Sequence, residues 1–226
     1  HFGVNSADLL TIYACDIARL AGWEQHVWAA HNVPPEGKVS RELLASQIRA
    51  QPASTHAVEE LLFVSMRKLE KGFERKFGAK LFKHQIDDGS AMQQISRFHC
   101  RDQASLLRLA KEIIRVFSDR LNLRELRKLS SHAEKDKLGS NKLLQDVLAK
   151  KIGEERARQV FGPIVGAYDL RVGDAHPTSS KIGDALELAG IDESQSYLRQ
   201  GEQLIHNVGY SVWCIGKLLF EEKGNP

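Results

Sequence analysis

Cysteine is scarce in this chain, and no long apolar run occurs in it. The three cysteines, Cys15, Cys100 and Cys214, are far apart and odd in number. That excludes a paired disulfide framework and any cysteine cluster at metal-ligand spacing, and it fits free thiols in a reducing cytoplasm. No apolar stretch approaches the roughly 18 residues of a membrane span, and the start carries no secretory pattern, so no membrane partner is expected. A phosphate-cradling glycine loop is missing, which argues against intrinsic NTPase activity. Alternating strand patterns, internal repeats and low-complexity tracts are missing too. The first residue is His1 rather than methionine, from which we expect a processed chain or a piece of a longer one, with other domains of that chain among its partners.

What is present is enough apolar surface for a core and an uneven distribution of charge. Hydrophobic residues make up 42% and charged residues 27% of the 226 positions, the balance of a folded protein rather than a disordered tail. The formal net charge is only +3, but its parts differ in sign. Residues 1–64 hold 4 Lys/Arg against 7 Asp/Glu, residues 65–151 hold 21 against 11, and residues 152–226 hold 7 against 11. A basic middle between acidic ends suits a track for a polyanion, and it equally suits solvated helix faces rich in lysine and arginine.

The apolar period is near 3.6 almost throughout, which predicts helices. A helical stripe is expected from Leu9 to Leu20 with Ser6 as its N-cap, followed by the aromatic segment from Trp23 to Val33 and a Pro34-Pro35 loop. Ser40 should cap the next helix. Thr55 or Ser54 should open a long one, with Val58, Leu62, Met66, Leu69, Phe73 and Phe77 on one face and Lys68, Lys71 and Arg75 on the other. The sequence Asp87-Asp88-Gly89-Ser90 is the expected boundary between an N-terminal helical region, 1–90, and a helical bundle, 91–226. Within the bundle, Leu106, Leu109, Ile113, Val116 and Phe117 should be buried. Arg108, Lys111 and Arg115 lie mostly off that face and are the candidate nucleic-acid contacts. Shorter helices are expected near 123–131 and 140–151. Pro163 should kink or restart the run 154–173, Gly190 should close the helix after it, and a last helix covers about 195–221. Gly162 and Gly166, with Gly201, Gly209 and Gly216, suggest helices that pack closely against each other or against a second copy.

The stretch Tyr168-Asp169-Leu170-Arg171-Val172-Gly173-Asp174-Ala175-His176-Pro177 ends a long helix and precedes a capped one. It resembles the Arg-x4-His signature of the HEPN superfamily of helical-bundle nucleases and nucleotide-binding domains, over residues 97 to 222. The resemblance implies an all-α, HEPN-like bundle, a homodimer with two motifs facing one cleft, and RNA as the partner. Arg171 and His176 are the implied catalytic pair, with Asp174, Tyr168 and Asp169 as supporting residues. Val172 departs from the polar residue typical of active members, and Asp174 is the nearby polar group.

Chemistry gives such a pair a function without metal or cofactor. A ribose 2′-hydroxyl attacks the adjacent phosphate; a near-neutral histidine serves as acid or base. Arginine neutralises the charge that grows on phosphorus. The implied function is a metal-independent endoribonuclease domain of a toxin or antiviral defence protein. The alternative is a non-catalytic dimerisation or RNA- or nucleotide-binding module. Five residues apart on an ideal helix is about 140°, so the two side chains share a site only if the helix breaks near Gly173 or a second chain completes it. The plainer reading is that Arg171 pairs with Asp174 at the surface and His176 caps a helix that Pro177 stops. His99 with Cys100, and His26 with His31, lack partners at ligand spacing and read as structural. Trp23 and Trp28 read as core or helix contacts, or as a stacking site. Ser130-Ser131 and Ser179-Ser180 read as caps.

Overall fold

The fold was analysed in a computed structural model, which describes residues 2–51, 57–83, 88–132, 134, 136–173 and 179–220. Two compact units divide at residue 56, earlier than the boundary expected near residue 90.

The first unit, residues 1–56, departs from the expected helix over 9–20. Its start is a hairpin of β1 (Phe2–Val4) and β2 (Leu10–Ile12), antiparallel with Gly3 opposite Thr11. The cause is local. The Asn5 side chain accepts the N–H groups of Ala7 at 2.9 Å and Leu9 at 3.0 Å, and Asp8 adopts φ of 57°. Such side-chain turns compete directly with a helix start. Ser6 caps nothing here, since its hydroxyl accepts the Lys38 N–H at 3.1 Å. Short helices follow: α1 (Ala14–Ile17), α2 (Gly22–Ala30) and α3 (Arg41–Leu43), the last continuing as a wider π-turn over Leu44–Ile48. Ser40 caps α3 as expected, its hydroxyl accepting the Leu43 N–H. Trp23 is 69% exposed, so it is not a core residue.

The second unit, from residue 57, is an all-α bundle. It begins with α4 (Val58–Phe77), whose Leu62, Met66, Leu69 and Phe73 are buried as the periodicity requires. The expected N-caps Ser54 and Thr55 lie outside the described residues. Gly78 ends α4 in the left-handed conformation at φ of 65°, which glycine takes without steric cost. After α5 (Asp88–Gln94) comes α6 (Gln103–Val116), fixed at its start by Asp102, which accepts the Ser105 N–H at 2.8 Å. Leu106, Leu109, Ile113, Val116 and Phe117 are all buried. Then follow α7 (Leu123–Leu129), α8 (Ser140–Ile152), α9 (Glu154–Gly173), α10 (Ser179–Leu188) and α11 (Tyr197–Phe220).

Helix α9 is central and packs against α6, α8, α10 and α11. Ala157, Phe161, Ile164, Ala167 and Leu170 form its fully buried stripe. Pro163 sits inside this helix without ending it. The Ser211 hydroxyl donates to the Val160 carbonyl nearby, tying α11 to the turn that the proline interrupts.

The two glycine-bearing helices, α9 and α11, do pack against each other, and the closest approaches at their glycines are to α10 and α4. A Cβ on Gly166 would meet the Ala189 nitrogen at 2.5 Å and the Ala185 carbonyl oxygen at 2.7 Å, both on or just past α10. Gly209 faces Leu62 and Gly216 faces Leu69, so α11 runs parallel to α4 along its length. Each fully buried phenylalanine, Phe73, Phe117 and Phe161, contributes roughly 1.5–3 kcal/mol over an exposed one.

Candidate functional site

Arg171 lies near the end of the described part of α9 (Glu154–Gly173), and the residues that follow, 174–178, lie outside the described ones. Its Nη1 donates to both oxygens of Asp119, each at 2.8 Å. Asp119 belongs to a single 3-10 turn, Ser118–Arg120, between α6 and α7. That turn is fixed by a short bridge between Phe82 and Leu121, with the Lys83 N–H donating to the Arg120 carbonyl at 2.9 Å and the Asn122 N–H to the Leu81 carbonyl at 2.7 Å. The same bridge brings Lys83 to the site. Tyr168, one turn before Arg171, places its ring 6.0 Å beneath the guanidinium carbon.

These groups border a cavity of about 700 Å³. Arg171, Tyr168 and Asp119 form one side, and Lys83 and Lys142 add positive charge. The first turn of α8 forms another side through Gly139, Ser140 and Asn141. Gly139 supplies no side-chain cap, so the amide end of α8 opens toward this space. Two buried oxygens of lining residues, Ser118 Oγ and Asn141 Oδ1, have no hydrogen-bond partner among the described residues. The Ser140 hydroxyl is occupied, donating to the Ser118 carbonyl at 3.0 Å.

The Arg171–Asp119 pair decides what the site can do. The two side chains are 33% and 42% exposed, so water screens them and the pair is worth about 0–1 kcal/mol. A phosphate can therefore displace Asp119 or share Arg171 with it. Both carboxylate oxygens sit on Nη1, so Nη2 and Nε lie outside that pair. A cavity with cations, polar donors and an unsatisfied buried hydroxyl is chemically suited to a phosphate ester.

The other expected site residues are dispersed. Asp174 and His176 lie outside the described residues. Asp169 is exposed on the last turns of α9 and does not border the cavity; partial desolvation raises its carboxyl above the ordinary range. Val172 is 50% exposed. Arg108, Lys111 and Arg115 stand on the solvent side of α6, where Arg115 pairs with Glu112 at 2.7 Å. Cys100 is buried, and desolvation pushes its thiol up to about 12, which fits a structural role. His31 caps the end of α2 through Nδ1 and the Val27 carbonyl at 2.9 Å. Ser130 and the Ser131 N–H both donate to Asp146, at 2.7 and 3.1 Å. Ser179 and Ser180 begin α10, and the placement of their side chains is outside the described residues. No three His, Cys, Asp or Glu side chains among the described residues lie close enough to hold a metal ion. No described helix is long and apolar enough to cross a membrane.

Sequence reading missed Asp119, Ser118, Lys83, Lys142 and Asn141. Asp119 is 52 positions from Arg171 and carries no motif, so only the packed bundle reveals the pair. Compared with known families, curated proteins and solved structures, the chain matches none.

Proposed function

We propose that residues 91–226 form a HEPN-like, RNA-binding bundle and that Arg171 with His176 makes it a metal-independent endoribonuclease of toxin or antiviral defence type. The observation that carries this reading is the position of Arg171, bordering a polar cavity beside Lys83 and Lys142 and held there by a weak, half-exposed ion pair. The guanidinium holds the scissile phosphate and neutralises the charge that builds on it. His176 moves the proton of the 2′-hydroxyl or of the leaving oxygen. DNA, which has no 2′-hydroxyl, is not cleaved. A homodimer sets two such motifs across one cleft, inside a larger cytoplasmic protein.

Purified protein should cleave single-stranded RNA in EDTA and leave cyclic-phosphate ends. His176→Ala should abolish cleavage with an unchanged circular dichroism spectrum. If wild type and variant leave RNA equally intact, the enzyme reading fails. A strict monomer by light scattering would count against the shared cleft.

The second reading is a non-catalytic dimerisation module that binds RNA or a nucleotide. It is favoured by the Asp119 carboxylate that neutralises Arg171 and by Val172 at a position polar in active members. Salt-sensitive binding without cleavage would select it.

A further inference from the structure

Helix α8 begins without a side-chain cap, and neither backbone conformation nor packing requires that. Its N-cap is Gly139, at φ of −73° and ψ of 166°, extended values open to any residue. A Cβ at this position would meet no described atom within 4 Å. An aspartate or serine would therefore fit, and would bond the first free amides as Asp102 does for α6 and Ser40 for α3. The Leu143 N–H donates to the Gly139 carbonyl at 3.1 Å and closes the first turn. The N–H groups before it, on Ser140, Asn141 and Lys142, have no acceptor among the described residues. They stand at the positive end of a 13-residue helix, where an anion is held by amides and dipole together.

An independent feature marks the same place. Ser118 is only 2% exposed, yet its hydroxyl has no hydrogen-bond partner among the described residues. A buried hydroxyl left in this way costs about 1–3 kcal/mol, which a ligand oxygen would recover. Ser118 sits directly against the α8 turn, because the Ser140 hydroxyl donates to its carbonyl at 3.0 Å. Both border the Arg171 cavity, as do Gly139, Asn141 and Lys142. The Lys142 ammonium makes a long contact of 3.5 Å to the Gln145 amide oxygen, which a phosphate oxygen can replace. Leu121, Leu123 and Val165 give the same cavity an apolar side. Its volume of about 700 Å³ is that of a site for a whole small molecule rather than one ion.

We propose that the first turn of α8 is a second phosphate site, which holds the RNA phosphate next to the one at Arg171. Its donors are the three free amides, the Ser118 hydroxyl and the Lys142 ammonium. The nucleoside between the two phosphates rests on Leu121, Leu123 and Val165. The smallest ligand that fills both ends is thus a nucleoside with phosphate on its 3′ and 5′ oxygens. At Arg171 a phosphate must displace or share Asp119, whereas at α8 it meets amides that no described group occupies. The α8 end therefore anchors the strand, and the Arg171 end acts on it. The proposal deepens the RNA reading above and rests on it for the phosphate at Arg171.

The test is isothermal titration calorimetry with the His176→Ala chain in EDTA, using adenosine 3′,5′-bisphosphate, adenosine 3′-monophosphate and adenosine 5′-monophosphate. The bisphosphate should bind about tenfold tighter than either monophosphate, the gain expected when a partly buried helix end holds one further anion. Gly139→Asp should remove that gain, because its carboxylate caps the amides and repels phosphate. The same variant should melt at a higher temperature, since it supplies a missing cap. Weaker binding by a more stable chain cannot be a folding defect. Gly139→Ser, which caps without charge, should lose less of the gain. Equal affinity for the three nucleotides, or a bisphosphate preference that survives Gly139→Asp, would overturn the proposal. Cleavage is measured separately on the wild-type chain. Absence of cleavage with the bisphosphate gain intact sinks the catalytic reading alone, and cleavage without that gain sinks the α8 site alone.

Discussion

At the scale of single residues, Glu70 links the fold to the Arg171 cavity. One oxygen of its carboxylate accepts the N–H groups of both Leu81 and Phe82, at 2.9 and 3.2 Å, and so starts the short bridged segment that carries Lys83. Removing it in Glu70→Ala leaves two backbone donors unmatched near the buried Leu81 side chain, and urea unfolding should show a loss of about 1–3 kcal/mol. Desolvation, helped by the neighbouring Glu74 charge, raises the Glu70 carboxyl above its ordinary range, against the two hydrogen bonds and Lys80, which lower it. The folded chain therefore holds this proton more tightly than the unfolded chain does. The stability gained from this tighter proton is fully present below the unfolded value and is lost as pH rises through the folded one. Relative to Glu70→Gln, wild type should be more stable near pH 4 than near pH 7. A gap that widens with rising pH would show instead that the hydrogen bonds dominate.

At the scale of helices, close packing between α9 and α10 depends on the missing side chain of Gly166. A methyl group there would lie within 3 Å of three α10-side backbone atoms, which cannot rotate away as a side chain would. Gly166→Ala should cost about 1–3 kcal/mol despite alanine's better helix propensity. Gly162→Ala should be the mild control, because its nearest contact is at 3.5 Å. Equal effects in chemical denaturation would mean that the two helices separate easily.

That pair also marks the limit of what periodicity reveals. The 3.6 spacing located α4, α6, α9 and α11, and the buried faces of α4 and α6, since burial repeats with the turn of the helix. It said that Gly162 and Gly166 allow a close approach, but not to which helix. It missed the 2–12 hairpin, where one asparagine side chain redirects the backbone within four residues. The motif located Arg171 but not Asp119, because long-range ion pairs leave no periodic trace. Lys68, Lys71 and Arg75 were legible as a helix face, whereas their closeness to Trp213 and Lys217 depends on the parallel packing of α4 on α11.

At the scale of the whole chain, the apolar core belongs to one unit. Every buried hydrophobic side chain among the described residues lies between Leu62 and Leu219. None of the helices before residue 44 contains a buried residue, and Phe2, Trp23 and Ile48 are 51%, 69% and 71% exposed. A segment of this size has little surface to bury even when well packed, and here its ordered contacts are chiefly a three-residue hairpin and polar turns. Residues 57–226 alone should therefore unfold in one cooperative transition, with stability within about 0.5 kcal/mol of the full chain, the range typical of changes away from the core. Residues 1–56 alone should show no cooperative transition in urea. Hydrogen exchange should agree, with slow amides confined to helices such as α4, α6, α9 and α11. A loss of several kcal/mol on removing residues 1–56 would mean that the first unit stabilises the bundle. The RNA-cleavage assay would then have to be made on the full chain, since the Arg171 cavity lies in the bundle.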